Sequence, residues 1–146
     1  MSKIEKVLFT GKTHTTFSDA TRAHGNLDIE LSSPGDATPA HVFAATQAHP
    51  TAEQLFAGAW SACYISAIEH IAKAKKVALP ADASVDIEVD LGQSGQAYFL
   101  QARFFVRLPG VAHDVATALA HAAHELCPYS KATLGNIDVA VNVLTA

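Results

Sequence analysis

Cysteine, charge and long apolar runs are all scarce in this 146-residue sequence. Two cysteines are too few for a disulfide scaffold, and charged residues make up only 16% of the chain. Ten Lys and Arg against fourteen Asp and Glu give a net charge of −4 with no run of one sign, which disfavours nucleic acid and other polyanions as partners. The length fits one domain over residues 1–146, and the 49% hydrophobic content leaves surplus apolar surface that a subunit interface would bury.

The sequence shows neither a signal-peptide pattern nor a membrane-span pattern. Its N-terminal residues mix charges into a short apolar run without a small-residue cleavage site. The longest uncharged stretch in a predicted helix, Gln54–Ile68, has fifteen residues, whereas a span needs about 20. We therefore predict a cytoplasmic protein with no membrane partner, in which this stretch is a buried core helix. In a reducing compartment, Cys63 and Cys127 are either two inert core thiols or one catalytic pair.

Alternating apolar and polar residues predict five strands. These strands cover residues 4–10, 27–31, 85–91, 98–108 and 137–143. The first two are expected to form a hairpin, and the next two a second antiparallel pair around the turn Gly92-Gln-Ser-Gly95. The segment from Ser33 to Pro50 contains three prolines and no period, so a long connection is expected there.

Two helices complete the predicted order. Thr51-Ala-Glu53-Gln54 fits a capping box that opens a helix of about 52–76, apolar nearly all round. An apolar stripe predicts a second helix over about 111–126. That helix ends there because Cys127 precedes a proline and is biased out of the helical region. The order ββαββαβ indicates an α+β fold.

Several common catalytic motifs are missing or incomplete. Gly11-Lys12-Thr13 has the end of a phosphate-binding loop, but the glycine required five positions earlier is Lys6. His121, His124 and Cys127 are spaced by three, but the cysteine lies ~120° around the helix from His121, so no metal site or cofactor is predicted. The sequence also lacks GxSxG, HExxH and CxxC, which excludes serine-hydrolase, zinc-protease and thioredoxin-type chemistry.

The sequence blocks around the two cysteines resemble those of the OsmC/Ohr family of thiol peroxidases. The first block is Thr51-Ala-Glu53-Gln-Leu-Phe56 with Ser61-Ala-Cys63-Tyr64, and the second is Cys127-Pro-Tyr-Ser130 with Ala132-Thr133 and Gly135-Asn-Ile-Asp-Val139. The second block is more similar to the organic hydroperoxide resistance (Ohr) branch than to the osmotically inducible branch. The separation of 64 positions between the cysteines and the total length also fit, and the resemblance is specific from residue 50 onward.

This resemblance implies an OsmC-like fold, with antiparallel sheets packed around a long buried central helix in an intertwined homodimer. The two active sites would lie at the subunit interface and would reduce organic hydroperoxides, lipid hydroperoxides included, to alcohols. Electrons would come from a dithiol such as a lipoylated protein. Carried over by position, Cys63 matches the peroxidatic cysteine, Cys127 the resolving cysteine, and Glu53 the glutamate that helps to hold a catalytic arginine.

The arginine is where the sequence departs from the family. The expected GGRDG-like turn in the first hairpin is absent, and the corresponding stretch contains Arg22, the only arginine before Arg103. Arg22 is therefore the candidate for the activating cation, although it lies several positions later than the pattern requires. The open alternatives are that Arg22 is an ordinary solvated turn residue and that Lys12 or a histidine replaces it.

These roles set conditions on the geometry. A thiolate attacks a peroxide, so Cys63 in an apolar helix needs a nearby cation to lower its pKa. Glu53 and Cys63 are ten positions apart, about 15 Å along a helix, so either the helix breaks near Gly58 or the partner subunit supplies Glu53 and the arginine. An apolar pocket would favour a bulky organic peroxide over hydrogen peroxide. The aromatic residues expected to form it are Phe43, Phe56, Trp60 and Tyr64.

The rival interpretation is a dimer of the same fold that lacks the usual activating arginine. Such a protein would reduce hydrogen peroxide instead, or would bind a small ligand without catalysis. Slow alkylation of Cys63 near pH 6 would identify the non-catalytic form, and the ratio of the two peroxide activities would identify the altered substrate.

Overall fold

The computed structural model describes residues 2–17, 28–32, 41–42 and 51–146. In this part of the chain six strands form one sheet: β1 (Lys6–Thr16), β2 (Asp28–Ser32), β3 (His41–Val42), β4 (Ser84–Ser94), β5 (Ala97–Arg107) and β6 (Asp138–Leu144). The helices in the same residues are α1 (Ala52–Ala74), α2 (His113–Leu126) and α3 (Pro128–Thr133). The predicted α+β class is confirmed. The strands β1 and β4 extend beyond their predicted ends, and β3 falls inside the segment predicted as a connection.

The sheet has the strand order β3-β2-β1-β4-β5-β6. Neighbouring strands are antiparallel from β3 to β5, and in the β4–β5 hairpin Ser84 pairs with Arg107. β6 instead runs parallel to β5, with Asp138 opposite Gln101. The expectation of purely antiparallel sheets is therefore wrong at β6. The cause lies in the connection, because α2 and α3 return the chain to the end of the sheet at which β5 begins.

The long helix α1 begins at the predicted capping box. The Thr51 hydroxyl accepts a hydrogen bond from the Gln54 amide at 3.2 Å, and the Gln54 side-chain oxygen accepts one from the Thr51 amide at 3.0 Å. From there the helix continues without interruption to Ala74. The break near Gly58, one of the two expectations for bringing Glu53 to the cysteine, does not occur.

The two faces of α1 differ in burial. Large side chains on the side that packs against the sheet are buried; they are Trp60, Tyr64, Ile65 and Ile68. Residues on the opposite side are exposed, and they are Leu55, Ala59, Ser66 and His70. Within one chain, α1 is therefore buried on one side only, so the full burial predicted for it is not seen here.

Phe104 in β5 is the centre of an aromatic cluster that joins α1 to the sheet. Its ring makes edge-to-face contacts with Trp60 and with Tyr64, and both pairs of ring centroids are 4.9 Å apart. Trp60 in turn meets Phe56 edge-on, with centroids 5.4 Å apart. The rings of Phe104, Trp60 and Tyr64 are fully or almost fully buried, so this cluster fixes the middle of α1 relative to the sheet.

Gly11 lies where β1 meets the first turn of α1. A Cβ atom at this position would lie 2.7 Å from the Gln54 backbone nitrogen and 2.9 Å from the Glu53 Cβ. We expect Gly11→Ala to lower the free energy of unfolding by about 1–3 kcal/mol, because helix backbone atoms would have to move. Denaturant unfolding measures this change. Lys6→Ala, at an exposed position of the same strand, should change stability by no more than ~0.5 kcal/mol, and equal stability of the two variants would contradict the tight contact.

Candidate active site

Cys63 and Cys127 lie side by side although they belong to different parts of the helical layer. Cys63 lies midway along α1, and Cys127 occupies the corner between α2 and α3, where its ψ of 122° interrupts the helix. The predicted end of α2 before Pro128 is confirmed. The two sulfur atoms are 2.8 Å apart and are not bonded to each other. Cys127 is buried and Cys63 is half-buried, so one sulfur of the pair faces the surface.

Two buried hydrogen bonds fix the corner against α1. The Trp60 indole N–H donates to the Ser130 hydroxyl at 2.9 Å, which attaches α3. The Tyr64 hydroxyl donates to the Ala120 carbonyl at 2.8 Å, which attaches α2. These donors lie three residues before Cys63 and directly after it in α1. The distance between the sulfurs is therefore set by anchors on both sides of the pair.

The described surroundings of Cys63 favour its neutral thiol. Burial, together with the hydrogen bond to Cys127, raises the pKa of Cys63 to about 11, whereas a hydrogen bond from the Tyr129 backbone acts in the opposite direction. A peroxide is attacked by the thiolate and not by the thiol. A nearby positive charge would act against these effects and make Cys63 more reactive at neutral pH.

The alternative cations on β1 point away from the cysteines. Lys12 Nζ lies 3.6 Å from an Asp86 carboxylate oxygen, and the same carboxylate pairs with His14. Side chains alternate along a strand, and Thr13, between these two residues, faces α1, where its hydroxyl contacts the Ser61 hydroxyl at 2.9 Å. Lys12 and His14 therefore lie on the far face of the sheet and do not serve Cys63 of their own chain.

The described residues do not place Glu53 near the cysteine pair, and they do not include Arg22. Glu53 lies in the first turn of α1, and the unbroken helix leaves about 15 Å of rise between it and Cys63. Arg22 lies outside the described residues, as does Phe43. Within the described residues, the two cysteines therefore lie together without Glu53 or Arg22, the two groups that the family resemblance places beside them.

A cavity of about 450 Å³ opens beside Cys63, a volume that suits a small organic molecule. Its wall is largely apolar, and the residues that line it are Cys63, Ser66, Ala67, His70, Leu126 and Pro128.

The aromatic residues predicted to form this pocket lie elsewhere. Trp60 and Tyr64 are buried in the core, and Phe56 packs edge-on against Trp60. The prediction is wrong for these three because nearness to Cys63 along the sequence does not place a side chain on the same face of a helix. Spacings of three, four and seven residues after Cys63 mark that face, and they would have identified the lining residues of α1.

His124, next to the cysteine corner, makes folding stability sensitive to pH. Its half-buried ring packs edge-on against Phe104, and Nδ1 has no hydrogen-bond partner among the described residues. Burial lowers the pKa of His124, and the charge of nearby His121 lowers it further. The unfolded chain therefore binds this proton at a higher pH than the folded chain. The contribution to stability is present above the unfolded pKa of about 6.5 and is lost as pH falls through the lower folded pKa.

Substitution of His124 tests this pH dependence. We expect wild type to lose more unfolding free energy between pH 7.5 and pH 5 than His124→Leu does, as measured by denaturant unfolding at several pH values. The variant His113→Leu replaces an exposed histidine at the start of α2 and should keep the wild-type slope. A His124→Leu slope equal to that of wild type would contradict the assignment.

Within the described ranges, no group of three or more His, Cys, Asp and Glu side chains is placed to hold a metal ion. The same residues include no helix of sufficient length and apolarity to cross a membrane.

Similarity to known proteins extends along the chain. The sequence model of a family described as OsmC-like protein matches residues 45–142, a range that includes both cysteines. The organic hydroperoxide resistance protein of Xanthomonas axonopodis pv. citri (strain 306) is 34% identical over 146 residues, which covers 98% of this chain and 99% of that protein. The organic hydroperoxide resistance protein OhrA of Bacillus subtilis (strain 168) is 33% identical over 117 residues, 80% of each chain.

The fold is also similar to solved structures. The crystal structure of the organic hydroperoxide resistance protein OhrB of Bacillus subtilis superposes with a TM-score of 0.62 and 28% sequence identity. The match covers 92% of this chain and 98% of that chain. The similarity therefore includes the sheet and the helices as well as the blocks around the cysteines.

Proposed function

Because this chain belongs to the OsmC-like protein family, we propose that it is a thiol-dependent peroxidase that reduces organic hydroperoxides to alcohols. The observation that carries the proposal is the contact between the Cys63 and Cys127 sulfurs, 2.8 Å apart, at the edge of an apolar cavity. Half-buried Cys63 takes the peroxidatic role and buried Cys127 the resolving role. A second thiol this close can trap an oxidised sulfur before another peroxide reaches it.

The proposed reaction has three steps. The Cys63 thiolate attacks the distal peroxide oxygen, the O–O bond breaks, and the alkoxide takes up a proton and leaves as an alcohol, so Cys63 becomes a sulfenic acid. The Cys127 sulfur then attacks the Cys63 sulfur, and the sulfenic oxygen leaves as water as a disulfide of about 2.05 Å forms. An external dithiol, such as that of a lipoylated protein, restores both thiols and is itself oxidised. This cycle requires a reducing compartment, so we place the protein in the cytoplasm.

The cavity supports an organic substrate over hydrogen peroxide. Its lining is mostly carbon, and an apolar wall gains transfer free energy only from an apolar substrate, at roughly 25 cal/mol per Å² removed from water. Hydrogen peroxide is too small to fill the cavity, so water would occupy the remaining space. We therefore expect kcat/KM for cumene hydroperoxide to exceed that for hydrogen peroxide.

The exposed face of α1 supports an intertwined homodimer as the working form. Leu55 on this face is 44% exposed although its side chain is large and apolar. A second copy packed there would bury α1 on both sides and make it the central helix of the dimer. It would also allow the partner subunit to supply Glu53 and Arg22 to Cys63, which the unbroken helix prevents for Glu53 within one chain. Sedimentation of the reduced protein at micromolar concentration tests this, and a monomer would contradict it.

Arg22 is proposed as the cation that makes Cys63 reactive, with Glu53 holding it in position. The described surroundings raise the pKa of Cys63, so a positive charge near the sulfur is needed to populate the thiolate. We expect Arg22→Ala to slow peroxide-dependent thiol loss by ~10²-fold at pH 7 and to shift the pH profile of Cys63 alkylation upward.

Arg22→Lys is the matched control because it keeps the positive charge. It should lose less activity than Arg22→Ala, although a lysine cannot bind a carboxylate through two parallel hydrogen bonds. If the alkylation profile of Arg22→Ala overlays that of wild type, Arg22 is a solvated turn residue and the activating cation lies elsewhere.

Stopped-flow oxidation of the fully reduced protein tests the function itself. Wild type should lose two thiols for each organic hydroperoxide consumed, and mass spectrometry should show a disulfide within one chain. Thiol loss that is slow with both cumene hydroperoxide and hydrogen peroxide would reject the peroxidase.

A second candidate function is ligand binding without catalysis, or reduction of hydrogen peroxide alone. It is favoured by the raised pKa of Cys63 and by the absence of the usual arginine turn. Slow alkylation of wild-type Cys63 near pH 6 would support the non-catalytic form, and fast thiol loss with hydrogen peroxide alone would support the altered substrate.

A further inference from the structure

The helix α3 continues the chain directly after Cys127 and has six residues. A helix this short is not stable by itself, so its position depends on contacts with the rest of the protein. Its residues that are buried within the chain are Ser130 and Thr133. Both carry hydroxyl groups, so the buried side of α3 presents hydrogen-bonding atoms and no large apolar side chain.

The Ser130 hydroxyl attaches α3 to α1. It accepts the Trp60 indole N–H at 2.9 Å, and both side chains are almost completely buried. Thr133 uses its hydroxyl inside α3, where it donates to the Ser130 carbonyl at 3.0 Å. Among the described residues, the bond between Trp60 and Ser130 is therefore the side-chain hydrogen bond that joins this helix to another element.

The first turn of α3 is linked to both cysteines. Cys127 directly precedes the helix, and its carbonyl accepts the Lys131 amide at 3.0 Å, so its backbone belongs to the same turn. The Tyr129 backbone N–H, also in this turn, makes a hydrogen bond to Cys63. A displacement of α3 relative to α1 would therefore change the distance between the two sulfurs.

We propose that Ser130 is a positioning residue for the disulfide-forming step, because its bond to Trp60 holds the Cys127 sulfur within reach of the Cys63 sulfenic acid. This inference rests on the proposed peroxidase function and adds a residue to its second step. In that step the Cys127 sulfur bonds to the Cys63 sulfur and the S–O bond breaks. The oxygen takes up the thiol proton and leaves as water.

The position of α3 also decides between two fates of the sulfenic acid. It either reacts with Cys127, or it attacks a second hydroperoxide and gives a sulfinic acid and an alcohol. The contact of 2.8 Å between the sulfurs favours the disulfide only while α3 keeps its place. Ser130 therefore protects Cys63 from overoxidation without touching the peroxide.

Ser130→Ala tests this role when the reduced protein is oxidised by cumene hydroperoxide in a stopped-flow instrument. The rate of peroxide loss reports the first step, and acid quenching followed by mass spectrometry reports the disulfide. We expect the ratio of the disulfide-forming rate to the rate of peroxide loss to fall ~10-fold, since a small displacement of reacting groups is sufficient for a loss of this size. At high peroxide concentration, Ser130→Ala should form more sulfinic acid than wild type.

Matched variants distinguish this role from a general loss of stability. Thr13→Val removes a different buried hydrogen bond of α1, the 2.9 Å contact between the Thr13 and Ser61 hydroxyls, and should keep the wild-type ratio. Trp60→Phe removes the donor to Ser130 and should lower the ratio at least as much as Ser130→Ala does. The double variant should be no slower than Trp60→Phe alone, because both changes remove the same hydrogen bond. Additive losses would contradict the pairing.

A chromogenic aromatic disulfide gives a readout that needs no peroxide. Cys63 attacks it and releases one coloured thiolate, and Cys127 then attacks the mixed disulfide at the Cys63 sulfur and releases a second. Ser130→Ala should delay the second release and not the first. An unchanged second release, together with a wild-type rate ratio, would overturn the role of Ser130 and leave the peroxidase intact. A delayed second release, together with slow reaction of wild type with peroxides, would support the positioning of Cys127 by Ser130 and reject the peroxidase.

Discussion

Replacement of Cys63 by serine is expected to lower kcat/KM for an organic hydroperoxide by roughly 10⁴-fold or more, as loss of a nucleophile does in other enzymes. A serine hydroxyl is nearly isosteric with the thiol, so the helix and the cavity should remain. What is lost is the sulfur that accepts the peroxide oxygen, because an alcohol is not oxidised to an equivalent of sulfenic acid. Stopped-flow measurement of peroxide consumption gives the rate.

Cys127→Ser is the matched control because it makes the same change at the other sulfur, 2.8 Å away. Its first reaction with peroxide should remain within about tenfold of the wild-type rate, since Cys63 is intact. The product should be a sulfenic acid that is trapped by dimedone, and multiple turnover with a dithiol should fall because the disulfide cannot form. A fast first reaction in Cys63→Ser that is absent in Cys127→Ser would reverse the two roles.

Trp60→Ala is expected to lower the free energy of unfolding by about 3–5 kcal/mol, the largest stability change predicted for this protein. The indole is 1% exposed, contacts Phe56 and Phe104 edge-on, and donates to the Ser130 hydroxyl. Truncation would leave a cavity under α1 and a buried hydroxyl without its donor. Denaturant unfolding of the reduced protein measures the change.

Two further variants separate packing from the hydrogen bond. Trp60→Phe keeps much of the ring but not the N–H. We therefore expect the free energy of unfolding to fall by about 1–3 kcal/mol and the attachment of α3 to α1 to weaken. Tyr98→Ala removes a ring that is 63% exposed and should change stability by no more than ~0.5 kcal/mol. If Trp60→Ala were as stable as Tyr98→Ala, the aromatic cluster would not anchor α1.

Local signals were sufficient to predict α1, α2 and most strands, whereas the short helix α3 was not predicted. The capping box at Thr51 identifies the start of α1, and the proline after Cys127 identifies the end of α2, because both act over four residues or fewer. Helix geometry alone also separates Glu53 from Cys63 by about 15 Å. The parallel pairing of β6 could not be found in this way, since it depends on how α2 and α3 return the chain.

The site was predictable only in part. The contact between Cys63 and Cys127 joins residues 64 positions apart, and no periodic pattern in the sequence encodes such a pairing. The resemblance to a known family linked these two residues, and the structure brings their sulfurs together. The cavity lining was mispredicted because Trp60 and Tyr64 pack against the sheet and are buried in the core. The pocket is formed instead by the opposite face of α1, which includes His70.

The connection through α2 and α3 to the parallel strand β6 also has a consequence for protein synthesis. The ribosome makes Cys63 before Cys127 and before β6, the strand that completes the sheet. At about 5–20 residues per second, the intervening residues take several seconds to appear. During that interval a nascent chain carries its first thiol without the second, so a peroxide that oxidised Cys63 then would leave a sulfenic acid open to irreversible further oxidation. The protection proposed for Cys127 is therefore available only after Cys127 itself has been synthesised.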